Sequence, residues 1–258
     1  MAALSARSIV ASVLLGTLPP RLPGRLLVAF AEEFDVKPGA TRVALSRMVE
    51  RGELVREDDG HYRLTGPLLD RQERQEAGLA PAVREWSGDW EMYVVRGGAR
   101  GSVDRAALRR AGQHLGLGER RDGVWLRPDN LDPQRLPGAR AVVDSQADRF
   151  VARPDDAATD LAAELFDLAG WSAIAEGLVE EMESVESSLA AQRPGALAAG
   201  FEVAARTLRH LVADPLLPET LGPADWPAAA LRHRYARYDQ EYRSHLSAFF
   251  RSRSRLAG

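Results

Sequence analysis

The sequence predicts an α+β chain of more than one domain, on three grounds. Its 258 residues exceed what one hydrophobic core usually holds together. Apolar residues recur at helical spacing through the first fifty positions and again from Asp155 onward. Between these stretches short extended runs alternate with helical ones, the pattern of a small domain built around one sheet. A hydrophobic share of 45% and a charged share of 28% are those of an ordinary globular chain, which excludes disorder as the dominant state.

The first element is a helix. Ile9, Val10, Val13, Leu14 and Leu18 keep helical spacing, and Ser5 is placed to cap the start. Arg7 before an apolar run resembles an export signal, but the run is only about ten residues, serines interrupt it, and Pro19, Pro20 and Arg21 follow instead of a small-residue cleavage pattern. Pro19 to Gly24 breaks the helix. Leu26, Leu27, Phe30 and Phe34 mark a second helix ending near Asp35. After the turn Lys37-Pro38-Gly39, a third helix runs from Ala40 to Arg51 and stops at Gly52, a suitable C-cap. Leu54-Val55-Arg56 and His61 to Thr65 flank Glu57-Asp58-Asp59-Gly60. Asp-Gly between extended runs is a strong hairpin signal, because both central positions of such a turn favour positive φ. Three helices followed by a hairpin, in this order, describe a winged helix-turn-helix over residues 1–69.

Residues 70–87 are charged, lack a sustained apolar face and read as a linker, with helical character around Arg71 to Glu76. Residues 88–154 form the small α+β domain, with strands at Trp90–Val95, Gly123–Leu126 and Ala139–Val143 and a helix from Val103 to Leu115. Residues 155–258 are helical throughout, closing with a helix through Tyr235, Tyr238, Tyr242, Leu246 and Phe249. No run reaches the roughly twenty apolar residues that a membrane-spanning helix needs. Without cysteine there is no disulfide framework, thiolate metal site or cysteine nucleophile, and a cytoplasmic chain is the simplest expectation.

Charge is uneven along the chain. Residues 1–80 carry 11 basic and 11 acidic side chains, residues 81–154 carry 13 and 10, and residues 155–258 carry 10 and 16. A neutral N-terminal segment lacks the bulk basic character of a non-specific nucleic-acid binder, so DNA binding there depends on where the arginines sit. On the third helix Thr41, Ala44, Leu45 and Met48 share an inner face, leaving Arg42, Val43, Ser46 and Arg47 outward. Arginine gives bidentate contacts to guanine, serine suits base edges or phosphate, and a valine methyl meets the thymine methyl. The candidate DNA-contacting set is Arg42, Val43, Ser46 and Arg47, with Thr41 counted beside them and with His61 and Arg63 from the hairpin.

Four segments in order carry a family resemblance: Ala6-Arg7-Ser8-Ile9; Thr41 to Val49 followed by Gly52; Gly123-Val124-Trp125-Leu126-Arg127-Pro128; and Asp214-Pro215-Leu216-Leu217-Pro218 with Asp225-Trp226-Pro227. Together they resemble the PaaX family of bacterial transcriptional repressors, which control aromatic catabolism. The resemblance implies a winged-helix N-terminal domain, a central ferredoxin-like domain similar to a CRISPR-associated nuclease, and a C-terminal helical domain for effector binding and dimerisation. It also implies a homodimer on a double-stranded operator, relieved by a small effector such as an acyl-coenzyme A. An apolar cavity with cationic groups would suit that effector. Trp171, Arg206, Arg209, Trp226, Arg232, Tyr235 and Tyr238 are its candidates.

Enzyme readings find little support. The first central strand lacks the terminal aspartate that the similar nucleases use for metal binding, since Trp90 to Gly97 offers only Glu91. His114, His210, His233 and His245 show no ligand spacing, and no serine sits in a glycine-flanked nucleophile elbow. Gly97-Gly98-Ala99-Arg100-Gly101 lacks the lysine and hydroxyl residue of a phosphate loop. Glu180, Glu181, Glu183 and Glu186 read as a solvated face. No metal, cofactor or catalytic residue is expected.

Overall fold

A computed structural model describes residues 4–17, 19–98, 101–155 and 157–255. Leu18 of the expected first helix, and Ala99 and Arg100 of the glycine-rich loop, lie outside the described residues. The chain forms two compact units that do not follow sequence order. One comprises residues 1–73, 178–206 and 234–258, the other residues 74–177 and 207–233. Among the described residues no helix is long and apolar enough to cross a membrane.

The first unit begins with α1 (Ala6–Leu15), whose N-cap Ser5 accepts a hydrogen bond from the Ser8 backbone at 3.2 Å. Ile9, Val10, Val13 and Leu14 are buried on its inner face. The break at Pro19–Gly24 contains a short strand, β1 (Arg21–Pro23), not foreseen from sequence. Next come α2 (Gly24–Glu32), which buries Leu26, Leu27, Phe30 and Ala31, and α3 (Pro38–Glu50) with proline in its first turn. Gly52, with φ of 65°, ends α3 as its spacing predicts. Glu53 N–H donates to Met48 O at 2.9 Å and Gly52 N–H to Val49 O at 3.0 Å, the paired bonds of a Schellman cap.

The hairpin consists of β2 (Leu54–Arg56) and β3 (His61–Leu64), with Arg56 facing Tyr62 and Leu54 facing Leu64. β1 pairs antiparallel on the other side of β3, placing Pro23 opposite His61. The turn corrects one expectation. Only Gly60 has positive φ, at 78°, while Gly60 N–H donates to Glu57 O and Glu57 N–H to His61 O; the four residues Glu57–Gly60 therefore share the reversal, and Asp59 needs no left-handed backbone. Beyond it, the helical character expected around Arg71 to Glu76 belongs to a longer helix, α4 (Pro67–Leu79), which starts before the expected linker and fills its first part. Leu68 in its first turn is buried, and Arg71 donates to Ser12 Oγ at 3.2 Å.

In the second unit β4 (Trp90–Val95), α5 (Ser102–His114), β5 (Gly118–Arg121), β6 (Val124–Pro128), α6 (Pro137–Asp144) and β7 (Ala147–Ala152) form an antiparallel sheet ordered β5-β6-β4-β7. Ala139–Val143, expected as a strand, is helical. Pro137 fixes the first turn and Val143 packs inward at helical spacing, so a short apolar run that periodicity cannot classify is settled by its N-terminal proline. Tyr93, Trp125 and Ala147 pack with Leu108, Leu115 and Val143 on one face of this sheet. Trp90 and Leu126 pack with Leu161 of α7 (Ala158–Leu165) on the other.

Residues 155–258 are helical as expected, adding α8 (Leu168–Ala190), α9 (Ala196–Val212) and α10 (Ala228–Arg255). They are not one body, because both compact units take part of each of these three helices. Within the first unit Phe201 of α9 meets Phe30 and Phe34 edge-on at 5.4 and 5.2 Å, and Arg243 of α10 donates to Gly16 O. The first three helices thus share a core with helices from the far end of the sequence.

Candidate nucleic-acid interface

The outward face of α3 is defined by what lies beneath it. Thr41, Leu45 and Met48 recur at helical spacing and are buried at 0%, 2% and 0% exposure. Arg42, Val43, Ser46 and Arg47 consequently face solvent. Thr41 must be removed from the DNA-contacting set, since a fully buried side chain cannot reach a base edge; its Oγ1 has no hydrogen-bond partner.

Neither Arg42 nor Arg47 forms an ion pair or side-chain hydrogen bond among the described residues, although the surrounding segment is electrically neutral. The acids are engaged elsewhere. Glu53 accepts Arg7 through both carboxylate oxygens at 2.8 to 3.1 Å. Glu57 accepts from Arg21 and, at 3.3 Å, from Arg63, and Arg21 also reaches Asp59. The hydrogen bond from Arg21 holds the Glu57 carboxyl below the usual carboxylate range, and the same bond raises the Arg21 guanidinium.

This network alters the reading of the hairpin. His61 Nδ1 lies 2.9 Å from Asp59 Oδ1, and Arg63 is tied to Glu57, so both expected wing contacts already face carboxylates. Beside them an open groove of about 510 Å³ is lined by Gly24, Arg25 and Val28 of α2, Arg42, Leu45 and Ser46 of α3, and Arg56, Gly60 and Tyr62 of the hairpin. Arg25 and Arg56 are exposed and, like Arg42, have no acidic partner among the described residues. A Cβ on Gly24 would lie 2.8 Å from Tyr62 Cε2, so the absent side chain lets the tyrosine ring close one wall. Sequence reading missed Arg25, Arg56 and Tyr62. The usable signal for Arg25, as for Arg42, was that no acid stands three or four positions away to pair with it.

The residues expected around an effector fall in both units. In the second, Trp171 stacks on His210 at 4.2 Å between ring centroids and packs at a 31° tilt against Trp226 at 4.6 Å, while His210 Nε2 lies 2.9 Å from Trp171 O. Arg232 donates to Asp214 at 2.6 Å and to Gly78 O at 2.9 Å, and Arg209 is also engaged. In the first unit Arg206 pairs with Glu181, Tyr235 is buried, and the Tyr238 hydroxyl donates to Gly200 O at 2.8 Å. Arg206 and Arg232 therefore carry compensated charges, and the two tyrosines fill core.

In the central sheet Glu91 is 2% exposed and accepts from Arg149 at 2.8 Å, with Arg140 at 3.4 Å. The lone acid of β4 thus serves an ion-pair cluster. Among the described residues no three His, Asp or Glu side chains are grouped to hold a metal.

A family model described as PaaX-like protein matches residues 5–68, and another, PaaX-like protein C-terminal domain, matches residues 166–252. Among solved structures, the chain is similar to uncharacterized protein Rv0674 from Mycobacterium tuberculosis. The two are 40% identical over 95% of this chain and 98% of that one, with a TM-score of 0.69. No curated protein sequence matches.

Proposed function

Because the chain belongs to the family of PaaX-like proteins, a family of transcriptional regulators, we propose that it is a sequence-specific DNA-binding repressor acting through an N-terminal winged helix-turn-helix. One observation carries this reading: α3 presents Arg42, Val43, Ser46 and Arg47 to solvent, beside a short hairpin, with neither guanidinium paired to an acid among the described residues. The element order α1-β1-α2-α3-β2-β3 with β1 against β3 supports the winged-helix description. The βαββαβ order and sheet order β5-β6-β4-β7 support a ferredoxin-like central domain.

Arg42 and Arg47 read base edges in the major groove and Ser46 supports them, each good bidentate contact contributing roughly 1–3 kcal/mol of discrimination. The protein acts as a homodimer, since a two-fold operator matches a two-fold protein. An acyl-coenzyme A or related small molecule relieves binding. The ligand is sought by thermal shift against a panel of thioesters, because a ligand preferring the folded state raises the melting temperature.

The test is a gel-shift titration against the chain's own upstream region, with a scrambled duplex as competitor. The reading expects a retained complex that outlasts the competitor. Loss of binding to both duplexes at low salt would remove the repressor assignment.

A further inference from the structure

The groove between α2, α3 and the hairpin brings three cationic side chains from three separate elements around one open channel: Arg25, Arg42 and Arg56. Val28 and Leu45 supply apolar lining, and Ser46 and the Tyr62 ring add hydrogen-bonding groups and a flat wall. Three guanidiniums that no carboxylate among the described residues pairs, in a segment that pairs three other arginines through Glu53, Glu57 and Asp59, form a locally positive channel in a neutral surrounding.

We propose that this groove seats the sugar-phosphate backbone of one DNA strand, gripped by Arg25 from α2 and Arg56 from β2, and that the hairpin's His61 and Arg63 are not its phosphate contacts. The inference deepens the repressor reading and rests on it. Guanidinium groups match phosphate bidentately, and backbone contacts fix register without carrying sequence information. Arg42 stands where the groove meets the outward face of α3, so a backbone held here places that arginine against the neighbouring base edges. Arg63 is tied to Glu57 and His61 Nδ1 lies 2.9 Å from Asp59 Oδ1, so a phosphate held there would have to compete with both carboxylates.

The experiment follows fluorescence anisotropy of a labelled scrambled duplex, and of the upstream fragment, across a salt series. Each phosphate neutralised contributes about −0.9 to the slope of log affinity against log salt. Arg25→Ala and Arg56→Ala are expected to weaken both duplexes alike, several-fold at low salt, and each to flatten the slope by about one. Arg25→Lys and Arg56→Lys keep the charge and the slope. His61→Ala and Arg63→Ala leave both within about twofold, a difference below 0.5 kcal/mol. If the wild-type chain binds neither duplex, the repressor reading fails and takes the groove with it. If it binds and the Arg25 and Arg56 variants keep wild-type affinity and slope, or if the hairpin variants carry the loss, the groove assignment alone is overturned.

Discussion

Two side chains show how burial decides role at the scale of the residue. Thr41 lies inside α3's buried row with an unpartnered hydroxyl, a group whose desolvation nothing repays. Thr41→Val keeps the shape and removes the orphan, so it is expected to stabilise the chain by about 1 kcal/mol while leaving DNA preference unchanged. Denaturant melts and a binding profile check both halves, and a changed sequence preference would return Thr41 to the reading face. His210 supplies a pH dependence. Burial against Trp171 lowers its pKa, outweighing the hydrogen bond to Trp171 O and the charge of Asp214. The folded state therefore binds this proton less readily than the unfolded chain. Its contribution is complete above the ordinary histidine value and is lost as pH falls through that value toward the lowered one. His114, shifted down by burial and by Arg74 and Arg110, acts in the same sense. The melting temperature is expected to drop between pH 7 and pH 5, and to drop less in His210→Asn, which cannot titrate there. Equal slopes for the two proteins would remove His210 from the effect.

Elements were legible where their ends carried chemistry. Ser5 and Gly52 mark helix termini that the structure reproduces, and the Asp-Gly signal located the hairpin even though its turn uses four residues. Short elements, whose flanking prolines and glycines suit a turn, a strand or a helix start alike, were not. β1 covers only Arg21–Pro23 and ends on a proline, β5 begins with a glycine and is mostly charged, and the five apolar-rich residues of Ala139–Val143 in α6 fit both periods. The candidate site was half legible for a related reason. Helical spacing identifies which arginines face outward, but no sequence rule tells which are neutralised by an acid that the fold brings to them, as the hairpin-turn Glu57 pairs Arg21 of β1 and Arg63 of β3. Gly66 is a position where element geometry leaves no freedom. Its φ is 54°, and a Cβ there would stand 2.6 Å from Gly52 O, a backbone atom of the α3 cap that cannot swing aside. Gly66→Ala is expected to cost on the order of 2–3 kcal/mol in chemical denaturation, while Gly39→Ala, with open space around it, costs little. Comparable losses for the two would mean that the cap tolerates displacement.

For the molecule as a whole, the sequence gives no hint that each compact unit is built from separated stretches of chain, because periodicity reports which face of a helix is buried and not against what. Phe201 and Phe30 are 171 positions apart yet pack edge-on in one core. The second unit holds a parallel case. The segments Gly123–Pro128 and Asp214–Pro218 meet through Arg127, which donates to Pro215 O at 3.4 Å and to Asn130 Oδ1 at 2.8 Å, while Asn130 donates to Leu216 O at 2.9 Å. Arg127 also reaches Leu115 O and Pro128 O, is 1% exposed, and has its pKa pushed down to about 9 by burial. Two opposing terms decide what its removal does. A buried guanidinium is costly to desolvate, so an apolar replacement gains that term back. Against it, Arg127→Met strips donors from carbonyls of three chain segments and from Asn130, and each orphaned group costs roughly 1–3 kcal/mol. With several acceptors lost together the second term prevails. The variant is expected to melt on the order of 10 °C lower, with about 3 kcal/mol lost in denaturant. Because Arg127 belongs to the second unit and the α3 face to the first, the folded variant at low temperature is expected to keep wild-type affinity for DNA. A melting temperature at or above wild type would show that desolvation wins, and that packing and the Asn130 bond to Leu216 O hold the two segments together without Arg127.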